Sequence, residues 1–210
     1  MSGVQYYLGH NAGIYRKLGK EIRDKFPQGE WIQWGPELAS CEYLRACIDE
    51  GLRMLPPAAG VHWRESLQDG VLINDEEIPA GTEVGLSLYG LFRSREVFRD
   101  ESRYWPERWI KGVLPENELT RAHQAFKPFQ TGPRACAGKH VVYMVTSVSL
   151  ANLLNEYDFK LANVPRSELG GRHIARAQDD GREGAELQFE DHFITTWKEG
   201  PHLQFRRRAT

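Results

Sequence analysis

The stretch Phe129-Gln-Thr-Gly132-Pro-Arg134-Ala-Cys136-Ala-Gly138 stands directly before an apolar run that predicts a helix from Val141 to Tyr157. A cysteine at the start of a helix meets unpaired backbone N–H groups and the positive end of the helix dipole, and both favour a thiolate. A thiolate is a soft, anionic metal ligand. The alternative is a cysteine that only packs in the core as a small hydrophobic residue. Cys136 is therefore the candidate metal ligand.

The residues around this cysteine suit a flat cofactor that carries carboxylates. Gly132 permits a tight turn, and Gly138 lets the helix approach the cofactor closely. Arg134 presents a fork of donors that matches a carboxylate such as a porphyrin propionate. Phe129 can shield the sulfur from water, which is one way in which a protein tunes a metal centre. The stretch thus predicts a thiolate-ligated cofactor site.

The pattern Phe-x-x-Gly-x-Arg-x-Cys-x-Gly resembles the haem-binding signature of the cytochrome P450 family, the haem-thiolate monooxygenases, and all five fixed positions match. Ordinary residue usage would produce this coincidence about once in ten thousand chains of this length, or less often. The resemblance implies haem b with Cys136 as axial ligand and catalytic position, held by residues Phe129, Gly132, Arg134 and Gly138. It also implies insertion of one oxygen atom from O2 into a small organic substrate, as in secondary metabolism, with electrons from an NADPH-dependent reductase.

A second motif, Glu50-Gly-Leu-Arg53, lies in a predicted helix from Glu37 to Leu55 that ends before a double proline. Its periodicity places both charges on a polar face, which favours an exposed ion pair. A third segment, Trp105-Pro-Glu-Arg108-Trp109, is similar to the family's Pro-Glu-Arg element. The resemblance therefore implies that Glu50, Arg53 and Arg108 form a buried structural network, and both interpretations stay open on the sequence alone.

Arg64 is a further candidate for binding the cofactor. It follows the double proline at a place where relatives often have a propionate-binding arginine, although a solvated arginine is the alternative. Phe92 stands where many relatives carry a histidine, so the resemblance implies the loss of one propionate donor. Arg64 and Arg134 would then carry more of the anchoring. The seven histidines show no metal-ligand spacing, and we expect them in loops or on the surface.

The composition describes an ordinary globular domain. The formal charge of −2 offers no general attraction to nucleic acid or to an anionic membrane. The three cysteines are too few for a disulfide framework, so a reducing compartment is expected. No apolar stretch is long enough to span a bilayer, and the opening residues lack the features of a signal peptide. We therefore expect a cytoplasmic chain, whereas full-length relatives are commonly anchored on the cytoplasmic face of the endoplasmic reticulum.

The hydrophobic pattern predicts an α+β fold, mainly helical with small antiparallel sheets, over residues 1–210. The resemblance identifies this as the C-terminal half of the cytochrome P450 fold, with a closing segment similar to that of many fungal members. The predicted elements are helices at 11–27, 37–55 and 141–157, a small sheet within 61–89, irregular chain at 90–135 with a short helix after Ser94, a polar loop at 163–190, and a hairpin that pairs 192–197 with 202–205.

The resemblance also implies that the N-terminal half of the fold is absent. That half contains a central helix with an acid–alcohol motif for proton delivery, expected just upstream of Ser2. Two functional hypotheses follow: a monooxygenase or its haem-ligating half, and a non-catalytic remnant that binds haem or a partner. A third possibility is that Cys136 is a buried thiol and no haem binds. The apolar helix from Val141 to Tyr157, predicted to be deeply buried, would have too few partners to hide all its faces.

Overall fold

The computed structural model describes residues 1–162, 189–192, 194–197 and 201–209. The fold is mainly helical with small antiparallel sheets, as predicted. The helices in this part of the chain are α1 (Ser2–His10), α2 (Ala12–Lys25), α3 (Pro36–Ala39), α4 (Glu42–Met54), α5 (Leu88–Phe92), α6 (Glu116–Ala125) and α7 (Lys139–Glu156). Short 3-10 turns occur at Pro106–Trp109 and Gly132–Arg134.

Four antiparallel strand pairs accompany the helices in the described residues. They are β1 (Val61–Glu65) with β4 (Glu83–Ser87), β2 (Val71–Ile73) with β3 (Glu76–Ile78), β5 (Tyr157–Leu161) with β8 (Leu203–Arg207), and β6 (Phe189–His192) with β7 (Ile194–Trp197). In the first pair, His62 lies opposite Leu86 and Arg64 opposite Val84, so these two polar residues share one face of β1.

The main core lies between α1, α2, α4 and the second half of α7. Each helix buries the apolar stripe that its periodicity predicts, and the innermost side chains are Leu18 and Ile22 of α2, Leu44 and Ile48 of α4, and Leu150 and Leu154 of α7. Helix α4 therefore contacts the rest of the core along its whole length, and its other face is free to meet the segment at 92–109.

The predicted helix from Glu37 to Leu55 is two helices, because the chain breaks between α3 and α4. The break is stabilised by Glu21 of α2, whose two carboxylate oxygens accept the backbone N–H groups of Tyr43 at 2.9 Å and Leu44 at 2.8 Å. A carboxylate at these two N–H groups satisfies donors that no helix can satisfy internally at its start. The cap comes from a different helix, so local sequence does not reveal it.

Two other predictions of elements were wrong. Helix α6 lies in the stretch predicted to be irregular, because it buries only Leu119 and Ala122 and its apolar stripe is too short to stand out. The helix expected after Ser94 is a set of turns, and α5 precedes it. Asn11 is the N-cap residue of α2, as predicted, but its side chain does not cap that helix: Nδ2 donates to the carbonyl of Tyr7 in α1 at 2.8 Å.

The predicted pairing of the strands in the closing hairpin is also wrong. Strand β8 pairs with β5, and the Phe159 and Phe205 rings pack with centroids 5.7 Å apart. Strand β7 pairs with β6, and Thr195 donates its backbone N–H to the carbonyl of Pro57 at 2.7 Å. Residues 199 and 200 of the predicted turn at 199–201 lie outside the described residues. So do residues 163–188 of the predicted polar loop at 163–190, whose last two residues belong to β6.

Helix α7 is buried on all sides only in its second half, and its first turns bury one face, at Tyr143 and Thr146. Leu150 and Leu154 have no exposed surface, whereas Val141 is 56% exposed and Val145 is 52% exposed. The prediction of a helix buried throughout is therefore wrong for its first two turns, where α4 covers the face with Tyr143 and leaves Val141 and Val145 exposed. No helix among the described residues is long and apolar enough to cross a membrane.

Candidate functional site

Residues 126–138 join α6 to α7, and we call the last ten of them, residues 129–138, the cysteine loop. The chain reverses at Gln130 and Gly132, whose φ angles are 59° and 75°. The positive φ at 132 is a conformation that glycine adopts without strain. The loop is closed by the Cys136 N–H, which donates to the Phe129 carbonyl at 2.9 Å. This arrangement places the cysteine at the end of a closed turn, two residues before the N-cap of α7 at Gly138.

The Cys136 thiol is exposed, whereas Cys41 and Cys47 are buried. Burial raises the pKa of both buried thiols, so neither is a ready source of thiolate. A Cβ added at Gly138 would lie 3.7 Å from the Cys136 sulfur, so glycine leaves that side of the thiol open. Of the three cysteines, only Cys136 can meet an external ligand without a change of fold.

The Phe129 ring is half-buried at the edge of the core. It packs on the ring of Tyr143 in α7 with centroids 5.4 Å apart. The Tyr143 hydroxyl donates to Asp49 of α4 at 2.6 Å, and Arg45 donates to the same carboxylate at 2.8 Å. The Arg45 guanidinium also lies 3.7 Å from the centre of the Tyr143 ring. This cluster ties the start of the cysteine loop to α4, and sequence reasoning missed it.

The structure brings Arg64 to the cysteine loop. Its Nη2 donates to Gln130 Oε1 at 2.5 Å, and its Nη1 donates to the Trp63 carbonyl at 2.7 Å. The other end of the Gln130 amide meets His62 Nδ1 at 2.6 Å. Neither Gln130 nor His62 was singled out from the sequence, since the pairing joins segments more than 60 residues apart. Arg134 is exposed and makes no hydrogen bond or ion pair within the part of the chain that the structure describes.

Glu50, Arg53 and Arg108 meet in the interior behind the loop, and their side chains are 0%, 0% and 1% exposed. The exposed ion pair that periodicity favoured is therefore absent, because residues 92–109 cover this face of α4. The Glu50 carboxylate accepts hydrogen bonds at 2.9–3.0 Å from Arg53 Nε, Arg53 Nη2, Arg108 Nε, the Trp105 backbone N–H and Trp109 Nε1.

The remaining donors of the two arginines bind backbone carbonyls of the covering segment. Arg53 donates to Phe92 at 2.7 Å and to Glu101 at 2.8 Å, and Arg108 donates to Asp100 at 3.0 Å. Phe92 itself is fully buried, with its ring 5.4 Å from that of Phe126. Burial acts to raise the pKa of Glu50, but the two guanidinium groups outweigh it and hold the pKa below its usual value.

The donor chemistry limits what Cys136 could bind. Within the described ranges, no group of three or more His, Cys, Asp or Glu side chains could hold a metal ion. A metal bound through Cys136 would therefore need its other ligands from a cofactor, such as the four nitrogens of a porphyrin. An exposed thiol, an adjacent guanidinium at Arg64 and the exposed apolar start of α7 fit such a cofactor.

Comparison with known proteins gives a family match for this chain. The family model described as "Cytochrome P450" matches residues 3–177. The chain is 35% identical to "Cytochrome P450 monooxygenase AKT7" of Alternaria alternata over 99% of its length and 40% of the relative's. It is 34% identical to "Cytochrome P450 monooxygenase apf7" of Gibberella fujikuroi, of which it covers 38%. It is also 34% identical to "Cytochrome P450 monooxygenase lcsN" of Purpureocillium lilacinum, of which it covers 59%. The chain thus spans two fifths to three fifths of these relatives.

Proposed function

The chain belongs to the cytochrome P450 family, and we propose that it is the haem-ligating part of a monooxygenase that inserts one oxygen atom from O2 into a small organic substrate. The observation that carries this proposal is the exposed Cys136 thiol at the end of a closed loop, with the two other thiols buried. The relatives supply the reaction class, because each is named a monooxygenase.

Each residue of the loop has a distinct role in this proposal. Cys136 would hold haem b through its thiolate, and Arg64 and Arg134 would bind the carboxylates of the cofactor. Gly132 and Gly138 shape the backbone, while Phe129 anchors the loop on Tyr143 and limits the approach of water. When bound, haem supplies the oxygen chemistry, and a thiolate ligand favours cleavage of the O–O bond.

The Glu50–Arg53–Arg108 network supports the loop from behind without touching the reacting atoms. It fixes α4 against residues 99–109 through charge-assisted hydrogen bonds in the interior. Helix α4 in turn holds Tyr143 through Asp49, and Tyr143 holds the Phe129 ring. A rigid scaffold of this kind keeps a ligand in place within the small tolerance that metal sites need.

The proposed partners are an NADPH-dependent reductase as electron donor and a small organic substrate of the kind handled in secondary metabolism. A second candidate function, haem binding without turnover, is favoured by the exposed apolar start of α7 beside the loop. Val141 and Val145 are each more than half exposed, and exposed apolar side chains that lie together often mark a surface that meets another molecule.

Reconstitution of the chain with haem tests the proposal. We expect the carbon monoxide complex of the reduced protein to show the spectrum of thiolate ligation. The Cys136→Ala variant should lose that spectrum, while the Cys41→Ala and Cys47→Ala variants should keep it. An unchanged spectrum in Cys136→Ala would overturn the assignment of the ligand.

The two candidate functions are separated by turnover. A coupled assay with NADPH, a reductase and candidate substrates should yield oxidised product in proportion to NADPH consumed if the chain is catalytic. Thiolate-ligated haem without product, with NADPH consumed only to form peroxide, would favour haem binding without turnover.

A further inference from the structure

A chain of hydrogen bonds links strand β1 to the cysteine loop. It runs from the carbonyl of Ala58 to His62, from His62 to Gln130, and from Gln130 to Arg64. His62 and Arg64 stand two residues apart on one face of β1, and the Gln130 amide lies between them. Nothing in the composition or the spacing of the sequence indicates this arrangement.

The direction of each hydrogen bond follows from the chemistry of the groups. Arg64 can only donate, so the atom of Gln130 that it meets is the carbonyl oxygen, and the amide NH2 must face His62. The Nδ1 atom of His62 therefore accepts a hydrogen bond at 2.6 Å. Its Nε2 lies 3.1 Å from the Ala58 carbonyl, which can only accept, so Nε2 carries the proton. One orientation of the amide satisfies every partner.

The backbone at Gln130 gives a second, independent observation. Its φ angle of 59° lies in the left-handed region, which residues with a side chain rarely occupy. A glycine would adopt this turn more easily, so the strain is tolerated where side-chain contacts hold the residue in place. The contacts available to Gln130 are those to Arg64 and His62, together with the backbone bond from its N–H to Lys127 at 2.9 Å.

We propose that Gln130 and His62 are positioning residues that hold the Arg64 guanidinium beside the cysteine loop for a carboxylate of the cofactor; this rests on the proposed haem site. Arg64 is otherwise exposed, and a long exposed side chain loses rotamer entropy when it binds a ligand. The Gln130 carbonyl and the Trp63 carbonyl fix two of its nitrogens in advance. The other three of the five N–H bonds of the guanidinium remain for an anion.

The test compares two ligands that differ only in their carboxylates, hemin and hemin dimethyl ester. Each is titrated into the full chain and followed by its absorbance in the Soret region. We expect Gln130→Met to weaken hemin binding about two- to tenfold, the usual effect of losing one preorganised side chain, and to leave the ester unaffected. His62→Phe should act in the same direction with a smaller effect, because it only frees the amide to rotate.

Two controls make the outcome specific. Gln124→Met changes an exposed glutamine of α6 and should leave both affinities unchanged. In an Arg64→Met background, Gln130→Met should have no further effect on hemin, because a residue that acts through Arg64 cannot act without it. Equal weakening of hemin and of the ester, or a full effect in the absence of Arg64, would overturn the proposal.

Different results would disprove the positioning role of Gln130 and His62 and the proposed haem site. If Cys136→Ala leaves hemin binding and its spectrum unchanged, the proposed site is wrong. The hydrogen-bond chain is judged separately by ¹⁵N NMR of His62 in the haem-free protein. We expect the tautomer with the proton on Nε2, and a change in the Nδ1 shift in Gln130→Met. The opposite tautomer, or no change on substitution, would overturn the role of His62 and Gln130.

Discussion

Helix α4 carries two neighbouring carboxylates that face different regions, and the pKa values of the two groups move in opposite directions. Glu50 faces the segment at 92–109, where its five hydrogen-bond donors hold its pKa below the usual value despite burial. Asp49 faces the cysteine loop, where burial outweighs Arg45 and Tyr143 and raises its pKa. A buried charge is stabilised only when enough donors surround it. The Glu50 side of α4 is therefore a structural scaffold with a fully hydrogen-bonded carboxylate. On the side toward the loop, the Asp49 carboxylate has fewer hydrogen-bond donors.

The arginines on the two sides of α4 also differ in their exposure to solvent. Arg53 and Arg108 are buried, and Arg53 donates to Glu50 and to backbone carbonyls. On the other side, Arg64 and Arg134 are exposed, and the cysteine thiol is open. The same residue type thus has a structural use where its donors are satisfied from within, and in the proposed function it has a binding use where donors are left for a ligand.

The largest effect is expected from breaking the scaffold. Arg108→Ala leaves Glu50 buried with only part of its positive surroundings, and loss of one member of a buried ion pair costs about 3–5 kcal/mol. Arg121→Ala, at an exposed arginine of α6, should change the free energy of unfolding by less than about 0.5 kcal/mol. Urea unfolding measures the free energy of unfolding of both variants. A loss in Arg108→Ala as small as that in Arg121→Ala would mean that the buried network does not stabilise the fold.

A smaller effect is expected on the side toward the loop. Tyr143→Phe removes the hydroxyl that donates to Asp49, and a hydrogen bond to a charged group contributes about 1.5–3 kcal/mol. Tyr157→Phe is the matched control, because the hydroxyl of this half-exposed tyrosine has no such acceptor among the described residues.

The pH dependence of this loss sharpens the comparison. The Tyr143 hydroxyl lowers the pKa of Asp49, so its removal should raise that pKa further. A group whose pKa is higher in the folded state contributes stability that is present at low pH and lost as the pH rises through the folded value. The loss caused by Tyr143→Phe should therefore be larger at pH 7 than at pH 5, as urea unfolding at both values would show. A larger loss at pH 5 would mean that Asp49 is not the acceptor that matters.

Sequence reasoning reached the residues whose role is encoded in a short local pattern. Cys136 and its glycines lie within ten residues, and their loop geometry follows from that order. The Glu50–Arg53 pair was found as a motif, but its periodicity pointed to the surface, since periodicity alone does not show which distant segment covers a polar face. Only the similarity of the segment around Arg108 to a family element suggested the buried alternative.

The contacts that escaped prediction all join segments far apart in the chain. Glu21 caps α4 from another helix, Tyr143 meets Asp49 across 94 positions, and Gln130 meets Arg64 across 66. None has a local signature, because a glutamine in a loop or a tyrosine in an apolar helix is ordinary in composition. The exposed start of α7 escaped for a related reason, since hydrophobicity indicates what a helix prefers to bury but not what is present to bury it.

The smallest effect on stability is expected at the residue with the clearest functional assignment. Cys136 is exposed, and its hydrogen bonds are made by its backbone: its N–H donates to Phe129 and its carbonyl accepts from Lys139, and alanine retains both. Cys136→Ala should therefore change the free energy of unfolding by less than about 0.5 kcal/mol. Cys47→Ala removes a fully buried sulfur and should cost more, since deleting buried atoms leaves a cavity in the core. Urea unfolding of the haem-free chain compares the two variants. A residue that binds a ligand contributes little to the stability of the ligand-free fold, whereas a core residue contributes much. A loss in Cys136→Ala as large as that in Cys47→Ala would therefore mean that the cysteine loop is part of the structural scaffold, and the two sides of α4 would no longer differ.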